Sequence, residues 1–269
     1  MICDHSPRQR RRYRASTEAF HRQAVERALS MIRQRFAEED IGLSAMAAAA
    51  ISSPFHFSRV FRRVSGVPPC HFLSAVRMEA AKHLLAETTL SVTNVCLDVG
   101  FSSLGTFTRR FTELVGLSPR AFRRLAQCPE PLPKIALREP PAHAGGGGTI
   151  TGQIAGPFPA LVSIGLFPTP LAHGRPVACC LANGPGEYSI EAAPEGRFFV
   201  LAVAIRVNGR PTAEPELRGA VMTPVEISRE NPRKRADIHL RPPAPTDPPI
   251  LAAVPFLKTS AARALYPTT

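Results

Sequence analysis

Arg59 and Arg109 stand at matching places in two versions of one phrase, FSRVFRRVSGVPP at residues 57–69 and FTRRFTELVGLSP at residues 107–119. In both, a phenylalanine follows the arginine two places on. A guanidinium carries its donors in a flat fork, so one arginine can hold the O6 and N7 acceptors of a guanine together. The neighbours offer related chemistry. Phe55, His56, Ser58, Arg62 and Arg63 lie around the first arginine, and Leu104, Gly105, Thr106, Thr108 and Arg110 around the second. A phenylalanine ring or a threonine methyl packs on a thymine methyl, and arginines neutralise phosphates. Plainer roles fit the same residue types: solvated helix faces for Arg62, Arg63 and Arg110, or ion pairs from Arg59 and Arg109 to Glu79 or Glu113.

Such groups can read a surface only if a rigid element aims them, and the surrounding sequence supplies one twice. An offset of 50 residues aligns Ser53 with Ser103, Phe57 with Phe107, Phe61 with Phe111, Gly66 with Gly116, Pro69 with Pro119 and Phe72 with Phe122. This is an internal duplication. Each copy reads as helix, tight turn, helix. LSAMAAAA precedes a turn at ISS, where Ser53 caps a helix with Pro54 in its first turn. SVTNVCLDVG precedes the second turn, where Gly100 supplies a positive φ and Ser102 or Ser103 caps the next helix. Phe57, Val60, Phe61 and Val64 fall on one face, as do Phe107, Phe111 and Leu114, and make an apolar back. Between the copies PCHFLSAVRMEAAKHLLAE predicts an amphipathic spacer helix with Phe72, Val76, Met78, Ala80, Leu84 and Leu85 inward. A leading helix over 18–36 and a trailing one over 119–125 complete seven. Cys96 occupies a core position.

Over residues 20–126 these phrases resemble the AraC/XylS family of transcription regulators, most specifically in SRVFRRVSGVPP, RMEAAKHLLAE and VGFSSLGTFTRRFTELVGLSPRAFRR. The resemblance implies two helix-turn-helix units entering successive major-groove segments, about one helical turn or roughly 34 Å apart. Carried over by position, base reading falls on Phe55, Ser58 and Arg59 in the first unit and on Leu104, Gly105, Thr106, Thr108 and Arg109 in the second. The second set is poor in hydrogen-bonding groups, so the first unit and Arg109 are expected to carry most of the discrimination.

One fragment resembles an enzyme's active-site phrase. PCHF at 69–72 resembles the start of the active-site phrase of DNA-repair alkyltransferases, with Cys70 as the acceptor thiol. Its duplicate is PRAF, and the residue after His71 is phenylalanine where that phrase has a basic residue. No catalytic residues are assigned. His143, His173 and His239 lack ligand spacing, and no glycine-rich loop leads to a lysine, so neither a metal nor a cofactor is expected.

From Gln127 to Gly148 the chain runs through prolines and then glycines, the composition of a linker. Beyond it the period changes to two, in TITGQI, ALVSIGLF, PVACCLA, EYSIEA and RFFVLAVAIRV, with weaker runs near 218–228, 235–240 and 249–257. Short strands at that spacing predict a β-sandwich. GTITGQI, VSIGL and GEYSIEAAPEGRFFVLAVA resemble carboxypeptidase-regulatory-like or transthyretin-like modules, in which the last phrase forms a strand-turn-strand hairpin and Tyr188 and Phe198 fill the interior. In the common family plan the sensing domain precedes the DNA-binding block; here the order is reversed.

The expected organisation is multidomain. It comprises a basic arm (1–16), an all-α double helix-turn-helix domain (17–126), a linker (127–148), an all-β sandwich (149–258) and a tail (259–269). The net charge of +12 is concentrated in front: five arginines against Asp4 over 1–16, and fourteen basic against nine acidic residues over 17–126. That balance favours a polyanion. Six cysteines without a CxxC pair fit a reduced compartment, and no run approaches the roughly 20 apolar residues of a membrane span. The reading is a sequence-specific, non-enzymatic transcription regulator in a bacterial cytoplasm, associated with the nucleoid. Its partner is double-stranded DNA, with no membrane. Candidate further partners are RNA polymerase, and a small-molecule effector or a second copy through the C-terminal domain. The alternative is an architectural DNA binder whose sandwich serves assembly.

Overall fold

The computed structural model describes residues 7–127, 147–157, 160–205 and 217–252, with the side chains of the first helix from Thr17 onward. The start of the arm, linker residues 128–146, the tail, Cys3, Cys128 and His143 lie outside the described residues. The chain divides into two compact units. One contains the residues up to Arg77 with Ala244–Pro248, and the other Met78–Pro243 with the residues from Pro249 on.

The first unit holds α1 (Pro7–Arg35), α2 (Leu43–Ala49), α3 (Pro54–Ser65) and the first half of α4 (Pro69–Glu87). α1 begins well ahead of the expected Glu18 because Pro7 is tolerated in a first turn and the arginines and glutamine after it are good helix formers. Val25, Ala28, Leu29 and Ile32 of α1, Met46 and Ala47, Phe57, Val60 and Phe61, and Phe72 of α4 are all buried, and α1 packs on α2 and α3. Val64, expected on the same face, is half-buried. Ring follows ring through this core, Phe57 to Phe61 at 5.4 Å and Phe61 to Phe72 at 5.6 Å between centroids. The end of α1 is pinned by Arg77, whose Nε donates to the Phe36 carbonyl at 2.7 Å and Nη2 to the Glu38 carbonyl at 2.9 Å. Arg33 Nη2 donates to the Pro245 carbonyl at 2.5 Å, within the same unit.

In the second unit the rest of α4 is followed by α5 (Val92–Asp98), α6 (Leu104–Val115) and α7 (Pro119–Ala126), which completes the seven expected helices. The aromatic series repeats, Phe107 to Phe111 at 5.7 Å and Phe111 to Phe122 at 5.8 Å, and is extended by Phe101. Arg123 of α7 donates to the Leu85 carbonyl at 3.3 Å and the Leu90 carbonyl at 2.5 Å, closing the end of α4. Cys96 is buried, as expected, and burial raises the pKa of its thiol.

Among the described residues eight strands follow: β1 (Gly148–Ala155), β2 (Ala160–Phe167), β3 (Cys179–Gly184), β4 (Gly186–Ala193), β5 (Gly196–Ile205), β6 (Leu217–Ile227), β7 (Arg233–Arg235) and β8 (Ile238–His239). One sheet has the order β4-β1-β7, with β8 also on β1; β4 runs antiparallel to β1 while β7 and β8 run parallel to it. The other, β3-β2-β5-β6, is antiparallel throughout. The alternation in TITGQI places Ile150 and Ile154 inward, and that in EYSIEA places Tyr188 and Ile190 inward. These join Val162, Ile164, Val200 and Ala202 of the second sheet in one apolar cluster. Tyr188 and Phe198 are both buried, as expected, and the Tyr188 hydroxyl donates to the Ala236 carbonyl. The unbroken apolar run of β5 has a reason of its own. Val200, Ala202 and Ala204 face that cluster, while Leu201 packs on the other side against Phe167, Ala172 and Ala252, and a strand covered on both faces loses its alternation.

Two strand expectations are corrected. GEYSIEAAPEGRFFVLAVA is not a hairpin: β4 pairs with β1 and β5 with β2 and β6, so the turn at Pro194–Gly196 carries the chain from one sheet to the other. Gly196 makes that step at φ +144, a conformation that side chains disfavour. Residues 249–252 form no strand; Leu251 and Ala252 instead both donate to the Ala172 carbonyl at 2.8 Å. Pro248 and Pro249, just before them, have no N–H to give a ladder. Residues 253–257 lie outside the described residues.

Candidate nucleic-acid interface

In each copy the second helix is started and stopped by the same chemistry. Ser53 Oγ accepts from the His56 N–H at 3.4 Å, and Ser103 Oγ from the Thr106 N–H at 3.4 Å. At the far ends Gly66 and Gly116 take left-handed φ values of +81 and +88 and donate to the Arg62 and Thr112 carbonyls. These residues keep the 50-residue offset. The first helices do not: Ser52 donates to Ala47 and Phe101 to Cys96, both at 3.0 Å, equivalences at an offset of 49. The turn of the second copy is therefore one residue longer. The left-handed residue that ends the first helix is Gly100 in the second copy (φ +81) and Ile51 in the first (φ +54). A β-branched residue held there costs about 1–2 kcal/mol relative to glycine's freedom.

The fixed helices turn Phe57, Phe61, Phe107 and Phe111 inward and leave the expected reading residues outward. On α3, Phe55 is 82 % exposed, Arg59, Arg62 and Arg63 are exposed, and His56 and Ser58 are half-buried. On α6, Leu104 is 43 % exposed, Gly105, Thr106 and Arg109 are exposed, and Thr108 and Arg110 are half-buried. None of the twelve belongs to the core. An apolar ring so far in water at the start of a helix contributes nothing to this unit's own burial.

Their electrostatics differ between the copies. α3 has three arginines and no carboxylate; α6 has two arginines and Glu113. Glu113 pairs with Arg110 at 3.2 Å, one turn away, and not with Arg109 as the ion-pair alternative expected. Arg59 Nη2 lies 3.4 Å from His56 Nδ1 instead of pairing with Glu79. Among the described residues Arg62, Arg63 and Arg109 have no ion-pair partner. On these fronts, three arginines and one more on α6 remain available to an anion.

Three features escape the sequence pattern. The arginine forks of Arg77 and Arg123 reach carbonyls about forty positions away in the chain, and only their place in the last helix of each copy hints at the role. Lys82 of α4 is buried and donates from Nζ to the Ile250 carbonyl at 2.8 Å, and burial lowers its pKa to about 8. His21 of α1 packs its ring against His56, 5.7 Å between centroids. Cys70 and His71 are exposed at the start of α4. Among the described residues no group of three or more His, Cys, Asp or Glu could hold a metal, and no helix is long and apolar enough to cross a membrane.

Residues 46–125 match the family model described as a helix-turn-helix domain. The chain is 27 % identical over 92 residues to the bifunctional transcriptional activator/DNA repair enzyme AdaA of Bacillus subtilis, covering 34 % of this chain and 44 % of that protein. It is 37 % identical over 79 residues to an HTH-type transcriptional regulator of Mycobacterium tuberculosis, 29 % of this chain and 30 % of that one. The chain thus spans less than half the length of these relatives. Among solved structures, the C-terminal domain of AraT, a response regulator from Geobacillus stearothermophilus, aligns at 28 % identity and a TM-score of 0.38, over 45 % of this chain and 96 % of that one. The matched span holds both serine-capped, glycine-stopped helices, and residues 46–125 are similar to a helix-turn-helix domain.

Proposed function

We propose that the protein is a sequence-specific DNA-binding transcription regulator that reads two successive major-groove segments with α3 and α6. The observation that carries this is the duplication of one device: a helix capped by serine, stopped by glycine, backed by phenylalanine and fronted by arginines without carboxylate partners, except Arg110. Phe55, Ser58 and Arg59 read one end of the site, and Leu104, Gly105, Thr106, Thr108 and Arg109 the other. His56, Arg62, Arg63 and Arg110 serve the backbone around them. The relatives named above are regulators; the one that also repairs DNA does not extend that chemistry to Cys70, because the residues around it here depart from the alkyltransferase phrase.

Residues 17–126 form the DNA-binding domain in this reading, with an arginine arm before it and a linker after it. Residues 149–258 form a β-sandwich of the two sheets, supported by the cluster they share. That module is the place for an effector or self-association, and RNA polymerase is the further partner on DNA. The protein acts without enzymatic chemistry, in a bacterial cytoplasm.

The test is competition between a selected site and random DNA at one stated salt concentration, with the full chain. A regulator of this kind favours its site by roughly 10³ or more. Equal affinity for both would leave a DNA binder without sequence reading, and the proposal would fail.

A further inference from the structure

We propose that His21, on α1, positions Arg59 through His56 and so takes part in sequence discrimination by the first recognition helix without touching DNA. The proposal rests on the functional reading above. Its geometry is a short relay. The His21 ring, half-buried, lies 5.7 Å from the His56 ring with the planes tilted by 56°, and Phe20 flanks it at 6.4 Å. His56 Nδ1 in turn faces Arg59 Nη2 at 3.4 Å. A guanidinium has donors only, so in this contact Arg59 donates and His56 Nδ1 accepts.

The consequence concerns entropy. An exposed arginine has many rotamers, and fixing one on binding costs free energy. His56 limits the choice before DNA arrives, and the ring of His21 limits His56. The second copy lacks the whole arrangement. The residue matching His56 at the 50-residue offset is Thr106, which has no ring, and Arg109 has no partner among the described residues. The relay belongs to the first copy alone. It makes Arg59 a preorganised reader and leaves Arg109 to be ordered by its base.

The experiment uses the full chain, its selected site, and single-base variants at the pair that Arg59→Ala identifies and at the pair that Arg109→Ala identifies. His21→Ala should reduce discrimination at the Arg59 pair by roughly three- to tenfold, the size of one side chain's ordering cost. Discrimination at the Arg109 pair and affinity for random DNA should not change. His21→Phe, which keeps a ring against His56, should restore most of the loss. His56→Phe, which keeps the ring contact and removes the acceptor, should reproduce it. Discrimination left intact by His21→Ala, or lost equally at both ends, would overturn the proposal alone. Wild-type protein that prefers no site would overturn it together with the functional reading.

Discussion

In the first copy Phe57, Phe61 and Phe72 follow one another at 5.4 and 5.6 Å; in the second Phe107, Phe111 and Phe122 do so at 5.7 and 5.8 Å. The fronts of the same two helices share little beyond one arginine. Phe55, His56, Arg62 and Arg63 face Gly105, Thr106, Thr112 and Glu113 at the matching positions. A duplicated interior with a diverged surface is what separate tasks would leave, since packing constrains the buried ring positions far more than the exposed front. The closures make the same point. Each copy fastens the helix before it with an arginine fork from its last helix, but Arg77 and Arg123 are not at equivalent positions in the repeat.

The strongest way to break the comparison is through the shared rings. Phe61→Ala and Phe111→Ala should each lower stability by about 3–5 kcal/mol, as expected for a large buried side chain. Denaturant unfolding of the full chain, followed for each unit by a local probe, measures this. A copy that tolerated its substitution would show that the two aromatic series are not equivalent supports.

Next in size is Lys82, on the half of α4 that belongs to the second unit. Its folded pKa of about 8 lies below the ordinary lysine value, chiefly through burial. The unfolded chain then binds more protons than the folded one between that value and the ordinary one. Stability should therefore rise with pH across this interval, by on the order of 3 kcal/mol at most. Cys96 works in the opposite sense, because burial raises its thiol pKa and the unfolded chain loses that proton first. Comparing unfolding of the wild type and Lys82→Met from pH 7 to 9.5 isolates the lysine. The wild type should gain relative to the variant as pH rises; parallel profiles would mean that the ammonium is solvated.

The smallest expected effect lies in the turns. Ile51→Gly should stabilise the protein by up to about 1 kcal/mol, because a strained left-handed residue is relieved and its side chain, 81 % exposed, loses little contact. Gly100→Ala should destabilise by about 1 kcal/mol for the converse reason. Opposite signs at the two turns support the 49-residue equivalence of Ile51 and Gly100. Equal signs would remove it.

Much of this was legible in the chain. Serine before a helical run, glycine after it and phenylalanine at helical spacing are local signals, and they located α3 and α6 and the outward residues. What was hidden depends on distant partners. The one-residue difference between the turns is masked because the 50-residue match begins at Ser53, after the turn. Lys82 sits among apolar residues and reads as the wet side of a helix, whereas it is buried and donates to the Ile250 carbonyl, 168 residues away. GEYSIEAAPEGRFFV has a hairpin's pattern, and whether two strands around a turn pair or part is decided by the strands β1 and β2 that compete for them. The start of α1 is not marked in the sequence, because helix propensity runs on without a break through its basic stretch.

In the proposed function the two copies exist because two groove segments are read; site selection from random DNA with the wild type, Arg59→Ala and Arg109→Ala is the test. The expected site is non-palindromic and about two helical turns long. Arg59→Ala should relax preference at one end and Arg109→Ala at the other, each by about 1–3 kcal/mol if the arginine holds a guanine with both donors. An inverted repeat with one unit per half, or two variants that lose preference at the same base pairs, would contradict it.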